Sequence, residues 1–334
     1  MTAFALSRPI TRRRALTILA VAGAAVLPGP ARADARRRFE WRGTALGADA
    51  RIVLYHQDPA AAEDAVRACM AEVERLEAEF SLYRPDSALS RLNRTGRLDG
   101  PSHDMRRLLA ECRRFGDLSG GAFDVTVQPL WRLYADHFAA HPDRAAGPDR
   151  DAIARTRALV DYRRISVFPD RIELAPGMAV TLNGIAQGYI TDRAANLLRR
   201  RGWTNVLINL GETRALGGRG DGRPWTLVIE SAIDGDGRPL ALPLIDRAAA
   251  TSAGDGTRFE PTGRHHHIFD PASGESSRRH RQVTVIAADA TSADALSTAL
   301  YVLPADAARD VVARCPGVEA WLISLDGRTD HIRG

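Results

Sequence analysis

From Trp41 to Tyr55 apolar and polar residues alternate around Gly47, the period-two pattern of a half-buried β-hairpin. The rhythm then lengthens. Asp58-Pro59 has the form of an N-cap followed by a first helical residue, and Val66, Met70, Val73 and Phe80 follow at near-helical spacing, predicting a helix with a core-facing stripe. A polar loop is expected from Arg91 to Ser102, then a helix from Met105 to Phe115 ended by Gly116. A charged, Pro-containing stretch from His141 to Arg157 precedes a strand-like segment from Ile165 to Leu174. Helical spacing resumes from Gly184 to Arg200 and closes at Gly202. Val206–Leu210, Trp225–Glu230 and Val283–Ala287 have the composition of buried or half-buried strands. Ala293–Leu303 and Ala305–Cys315 have that of helices parted by Pro304. Gly217 to Gly220 and Asp234 to Gly237 have the chemistry of surface turns. Strands and helices mix without a regular βαβ rhythm, and no dinucleotide-binding glycine fingerprint follows any strand. The expected class is α+β.

Composition adds the compartment. The 334 residues are 45% hydrophobic and 26% charged, ordinary for a globular chain. A formal charge of +5 and a pI near 9.5 would suit a nucleic-acid binder, but the excess is local. Of 46 basic residues, Arg8, Arg12, Arg13, Arg14 and Arg32 precede a candidate cleavage point, leaving 41 against 41 acidic ones. A near-neutral mature chain argues against nucleic acid as a partner. Every basic residue is Arg, so neither a Schiff-base lysine nor a P-loop is available.

The first 33 residues combine Arg12-Arg13-Arg14, a short apolar run from Leu19 to Leu27, and Ala31-Arg32-Ala33. That is a basic region, an apolar core too short to span a bilayer, and an A-x-A cleavage site, resembling a twin-arginine export signal. The competing reading is an uncleaved membrane anchor. Export would place the mature chain in the periplasm with no stable membrane anchor, and its main body, residues 39–330, is long enough for one large domain or two closely packed subdomains. Cys69, Cys112 and Cys315 form no C-x-x-C pair. The first two sit in helical patterns, where core filling and a mutual disulfide are both open.

Three segments carry chemistry. Thr181-Leu182-Asn183-Gly184-Ile185-Ala186-Gln187-Gly188-Tyr189 reads as a strand turning into a helix, where glycines admit close backbone approach and a helix N-terminus offers N–H groups to phosphate. Thr291 to Leu300 contains Asp294 and Thr298, four apart and therefore on one helix face, two hard oxygen donors suited to magnesium shared with phosphates. Capping or a solvated face would produce the same pair. Arg264-His265-His266-His267-Ile268-Phe269-Asp270-Pro271 invites a zinc reading, but consecutive strand residues point to opposite faces and cannot converge on one metal. His265 and His266 are expected in solvent, with one histidine facing inward.

Together these segments resemble the ApbE family, the FAD:protein FMN transferases, whose motifs run approximately D-L-G-G-I-A-K-G-Y, H-H-I-I-D-P-x-T-G and A-D-A-L-A-T-A-L. Phe80-Ser81-Leu82-Tyr83-Arg84-Pro85-Asp86-Ser87 with Leu92-Asn93, Gly121-Ala122-Phe123-Asp124-Val125-Thr126 and Ala250-Thr251-Ser252-Ala253-Gly254-Asp255 resemble further family stretches, in the family's order. The resemblance runs from about Gly43 to near the C-terminus.

It implies an α+β fold of mixed sheets and packed helices with the FAD site in a cleft between two subdomains. It implies that Tyr83, Ala122, Phe123, Asp124, Asn183, Gln187 and Ile268 contact FAD. The Ala186 carbonyl, Asp294 and Thr298 would hold Mg2+, and His267 would stand beside the pyrophosphate as the catalytic residue. The reaction implied is magnesium-dependent transfer of FMN from FAD to a Thr or Ser hydroxyl of an acceptor flavoprotein, with release of AMP. The departures are Thr181 for the motif Asp, Gln187 for its Lys, Leu210-Gly211-Glu212 for a G-G-E/D turn, and Arg42 for a Met. Two other outcomes are compatible with a modified site: FAD binding without turnover, and FAD hydrolysis by water. The export signal is similar to that of the branch associated with nitrous-oxide reductase maturation, which implies an acceptor in a periplasm-facing electron-transfer system.

Overall fold

The computed structural model describes residues 37–233 and 238–334. The export segment and the turn expected at Asp234–Gly237 lie outside the described residues. Strands β1 (Arg37–Ala45) and β2 (Ala48–His56) form the expected hairpin. Its two-residue turn places Leu46 and Gly47 at φ 55° and 72°, the left-handed pairing that matches strand twist. Leu46 is strained in that conformation, and its N–H donates to Glu77 Oε1 at 2.8 Å. Helix α1 (Pro59–Phe80) starts where expected: Asp58 accepts from the Ala60 N–H, and Pro59 occupies the first turn. Val66, Val73 and Phe80 are buried, each such side chain contributing about 1.5–3 kcal/mol.

The stretch expected as a loop from Arg91 to Ser102 is mostly structured. Ser87 caps α2 (Ala88–Thr95), Gly96 ends it in the left-handed region, and β3 (Arg97–Asp99) follows. Helix α3 (His103–Leu118) runs through Gly116 rather than stopping there. That glycine is needed for packing, since a Cβ on it would fall 2.7 Å from the Tyr162 ring. Helix α4 (Gln128–Ala140) falls where no element was expected, and α5 (Arg150–Arg157) lies inside the charged, Pro-containing stretch. Ile165–Leu174 is two short strands, β4 (Ser166–Val167) and β5 (Arg171–Glu173), joined with β3 in the order β3-β5-β4.

The second half builds the body of the molecule: α6 (Ala186–Arg200), β6 (Val206–Asn209), β7 (Thr213–Leu216), β8 (Trp225–Ile233), β9 (Pro239–Leu244) and β10 (Ala248–Ala253). Then come β11 (Phe269–Asp270), β12 (Glu275–Ser276), β13 (Gln282–Ala287), α7 (Ala290–Val302), α8 (Ala305–Ala313), β14 (Glu319–Ile323) and β15 (Thr329–Arg333). Eight strands form one antiparallel sheet in the order β1-β2-β6-β7-β10-β13-β14-β15. Period-two alternation sorts its two faces: Ile52 and Leu54 join the large core under the helices, while Val53, Leu207 and Ile286 face the β8–β9 hairpin. On the helical side α7 lies on β10 and β13, α6 crosses α7, and α1 packs on α6. A smaller aromatic cluster of Tyr134, Phe138, Phe269 and Phe259 stands beside α4. Cys69 and Cys112 form no disulfide and are buried in the large core.

A flavin-sized cavity and its hard-oxygen corner

A cavity of about 570 Å³ opens between the large core and the aromatic cluster, within the size range of small-molecule sites. Segments far apart in sequence meet there: the β1–β2 turn, the α1 C-terminus, residues 122–127, residues 181–187, the end of β10, residues 267–269, and α7. Tyr83, Ala122, Phe123, Asp124, Asn183, Ala186, Gln187, His267, Ile268 and Thr298 all line it. Of the site residues singled out in the sequence, Asp294 alone is set back behind the wall.

Each is placed by a local cause. Ser81 and Ser87 turn the chain after α1: the Ser87 hydroxyl donates to the Ser81 carbonyl at 2.6 Å, and the Ser81 hydroxyl accepts from the Tyr83 and Arg84 N–H groups. The turn leaves Tyr83 73% exposed at the rim, an aromatic face beside an open cavity. In the 122–127 segment the Asp124 carboxylate is turned into its own loop. Its Oδ1 accepts from the Thr126 N–H at 2.8 Å and the Thr126 hydroxyl at 2.5 Å, and its Oδ2 from the Tyr162 N–H at 3.1 Å. Burial raises its pKa against those donors.

The chain entering α6 is extended but is no strand of a sheet. The Asn93 amide takes the place of a neighbouring strand, donating to the Val180 carbonyl at 2.7 Å and accepting from its N–H at 2.6 Å, while the Thr181 N–H donates to the Val125 carbonyl. Gln187 is buried in the cavity wall against Gly211, whose φ of 101° and missing Cβ leave room for the amide.

The histidine run is sorted differently from the expectation. His266 is buried, not solvated: its Nε2–H donates to the Ser277 carbonyl at 2.8 Å, its Nδ1 accepts from the Ile268 N–H, and burial pushes its pKa down to about 4. His265 is half-buried against Tyr134 and Phe138. His267 lines the cavity. Its Nδ1 lies 3.2 Å from the Thr257 carbonyl, which can only accept, so Nδ1 carries a proton.

The hard-oxygen corner lies where α6 starts and α7 passes. Asp294 is 1% exposed and its Oδ2 accepts from the Gly188 N–H at 3.0 Å. It does not cap its own helix, which Asp289 caps. Thr298 Oγ1 is 3.3 Å from Ser252 Oγ, which also meets Ser297 Oγ at 2.8 Å. Gly184 keeps space open here, since a Cβ would come within 3.0 Å of Thr298 Oγ1. A carboxylate, two hydroxyls and the Ala186 carbonyl are all hard donors, fitting a cation that keeps waters and shares substrate phosphates. Among the described residues no three His, Cys, Asp or Glu side chains group as a metal cage.

Ser252, Thr257 and Trp131 also line the cavity and were not singled out in the sequence. Ser252 stands in one of the family-like stretches, but nothing in its pattern distinguishes it from its neighbours. Trp131 becomes visible only once α4 is known to exist.

This fold and cavity define an α+β protein with a recessed small-molecule site. Comparison with known proteins names the kind. A model of the ApbE family matches residues 46–322, and the chain belongs to that family. It is 31% identical over 319 residues to an FAD:protein FMN transferase of Treponema pallidum, covering 87% of this chain and 86% of that one. It is 31% identical over 255 residues to the Haemophilus influenzae protein of the same name, covering 73% and 74%. The apo flavinyl transferase ApbE of Pseudomonas stutzeri superposes with a TM-score of 0.77 at 26% identity, covering 90% of this chain and 95% of that one.

Proposed function

We propose that this chain acts as its named relatives do, as an FAD:protein FMN transferase, and that it is magnesium-dependent, acts on a Thr or Ser hydroxyl and releases AMP. The observation carrying this reading is the convergence in one cavity of an exposed aromatic rim, the His267 imidazole and a corner of hard oxygens. Asp294, Thr298 and the Ala186 carbonyl would hold Mg2+, which when bound would neutralise charge on the pyrophosphate. Tyr83, Phe123 and Ile268 offer apolar surface to the flavin ring system, and Asn183 and Gln187 offer amides to its polar edges. The acceptor oxygen forms a bond to the phosphorus nearest riboflavin while the bridging P–O bond breaks and its electron pair leaves with AMP. His267 Nε2 is suited to receive the hydroxyl proton. Such a displacement depends on positioning and charge neutralisation more than on covalent help.

Asp294→Ala is expected to abolish labelling of an acceptor flavoprotein, read as flavin fluorescence of the acceptor band in a denaturing gel; undiminished labelling would sink the assignment. The same assay separates the two competing outcomes. Bound flavin with no labelling means binding without turnover, and AMP released with no acceptor present means hydrolysis.

We place the enzyme in the periplasm, acting on a flavoprotein of an electron-transfer system there, as in the branch associated with nitrous-oxide reductase maturation. The support is the arginine-rich, A-x-A-ended N-terminal pattern. Among the described residues no helix is long and apolar enough to cross a membrane.

A further inference from the structure

Asp192 on α6 has no part in the chemistry above, yet it holds the start of α7. Its Oδ1 accepts from the Ala290 N–H at 2.9 Å. Its Oδ2 accepts from the Thr291 N–H at 2.8 Å and the Thr291 hydroxyl at 2.7 Å. Asp289 takes the next N–H, that of Ser292, at 2.7 Å. A helix begins with N–H groups that lack intrahelical partners, and here two carboxylates satisfy three of them. One of the two comes from another helix, 98 residues earlier in the chain.

The arrangement is reciprocal. Gly188 and Asp192 are four apart on α6 and face α7; Ala290 and Asp294 are four apart on α7 and face α6. The Gly188 N–H donates to Asp294, and one turn later Asp192 accepts from Ala290 and Thr291. Between them the backbones close in until a Cβ on Gly188 would fall 2.2 Å from the Ala290 carbonyl oxygen. Arg214 of β7 backs the clasp, its Nε 3.7 Å from Asp192 Oδ1 and its guanidinium donating to the Ala288 carbonyl just ahead of α7. The Asp192 side chain is only 13% exposed, so water competes weakly for these bonds. Sliding α7 along α6 would break all of them together.

We infer that Asp192 is the positioning residue of the metal corner: by fixing the register of α7 on α6 it delivers Asp294 and Thr298 to their places around the cation. The inference rests on the metal reading above. The substitution Asp192→Asn would keep the volume but replace one accepting oxygen with an N–H that faces a backbone N–H donor, so α7 would lose one side of its anchor while the flavin cavity keeps its walls.

The probe is Mn2+, titrated into the FAD-loaded mature chain and followed by the EPR signal of the free aquo ion, well below each variant's Tm. FAD affinity in EDTA, from flavin fluorescence, is the second readout. Asp192→Asn is expected to weaken Mn2+ binding by about 10–100-fold, the usual cost of losing a group that orients a ligand, with FAD affinity in EDTA within about twofold. Thr291→Val removes only the hydroxyl bond and is expected to weaken Mn2+ by a few-fold, so the idea stays testable if Asp192→Asn fails to fold. A merely structural role would depress both readouts together, and that result overturns the inference. So does Mn2+ affinity unchanged in both variants while Asp294→Ala loses it. If Asp294→Ala binds Mn2+ as tightly as the parent, the metal reading itself falls, and the inference with it.

Discussion

At the scale of single residues, the imidazole of His266 shows how burial becomes pH dependence. The Ser277 carbonyl fixes its proton on Nε2, the Ile268 N–H occupies Nδ1, and no room is left for a second proton. Folded, it titrates at about 4; unfolded, near 6.5. Above pH 6.5 both states are neutral and nothing is lost. As pH falls from 6.5 toward 4 the unfolded chain takes up a proton that the folded chain refuses, so stability drops by up to about 3 kcal/mol and levels off below 4. His265 and His280 are shifted down by burial too and add to the same slope. Replacing His266 with Gln should flatten the decline in urea midpoint between pH 7 and 4.5; an unchanged slope would contradict the burial account.

The same residue marks a limit of reading side chains from sequence. Alternation was the ground for expecting that three consecutive histidines do not share a metal. It could not say which one faced the cavity, because the local backbone is a short irregular run rather than a strand. Asp124 and Asn183 were visible through the family pattern, but not that the carboxylate of Asp124 serves its own loop. Asp192 carried no local signal, since its partners are 98 and 99 residues away.

Among elements, the crossing of α6 and α7 governs the site. Gly188→Ala forces the helices apart at a backbone oxygen that cannot yield. The expected result is a loss of about 1–3 kcal/mol in urea unfolding, the range for overpacking, together with loss of acceptor labelling. A variant of parental stability and activity would mean the helices have slack. Helices α1 and α3 make a second forecast. Cys69 and Cys112 lie on their buried faces, and burial pushes the Cys69 thiol up to about 12 and Cys112 higher still. Only half-buried Cys315 should react with a thiol reagent in the native protein, with three reacting after denaturation; two rapid native thiols would contradict the packing.

Elements with strong periodicity or clean punctuation were legible: the Asp58-Pro59 start of α1, the Gly47 turn, the Pro304 break between α7 and α8. α4 was missed altogether, and two other misreadings have visible causes. α2 and α5 are eight residues each, too short for periodicity to rise above their polar composition. Gly116 misled because glycine inside a helix and glycine after one look alike until Tyr162 is seen against it.

For the whole molecule, the α+β class followed from the irregular mixing of elements, and the cavity's residues from motifs that only tertiary structure brings together. Export is the property tested at this scale. Lys replacing both Arg12 and Arg13 should retain the charge yet leave the chain in the cytoplasm with its N-terminus uncleaved, checked by fractionation and mass; unimpaired export would overturn the twin-arginine assignment.

The order of the large sheet has a further consequence, one of timing. Its eight strands lie side by side in the order in which they leave the ribosome, from β1 at one edge to β15 at the other. A growing chain can therefore add each strand to an edge already laid down, without threading a late strand between early ones. The cavity walls from α1, the 122–127 segment and α6 are translated before β10 and β13, on which α7 comes to rest. Asp294 and Thr298 arrive last, on a helix that begins at Ala290. A nascent chain stalled before that point holds most of the wall of the site and neither of the side chains proposed to face a metal, so on that proposal activity appears only near the end of synthesis.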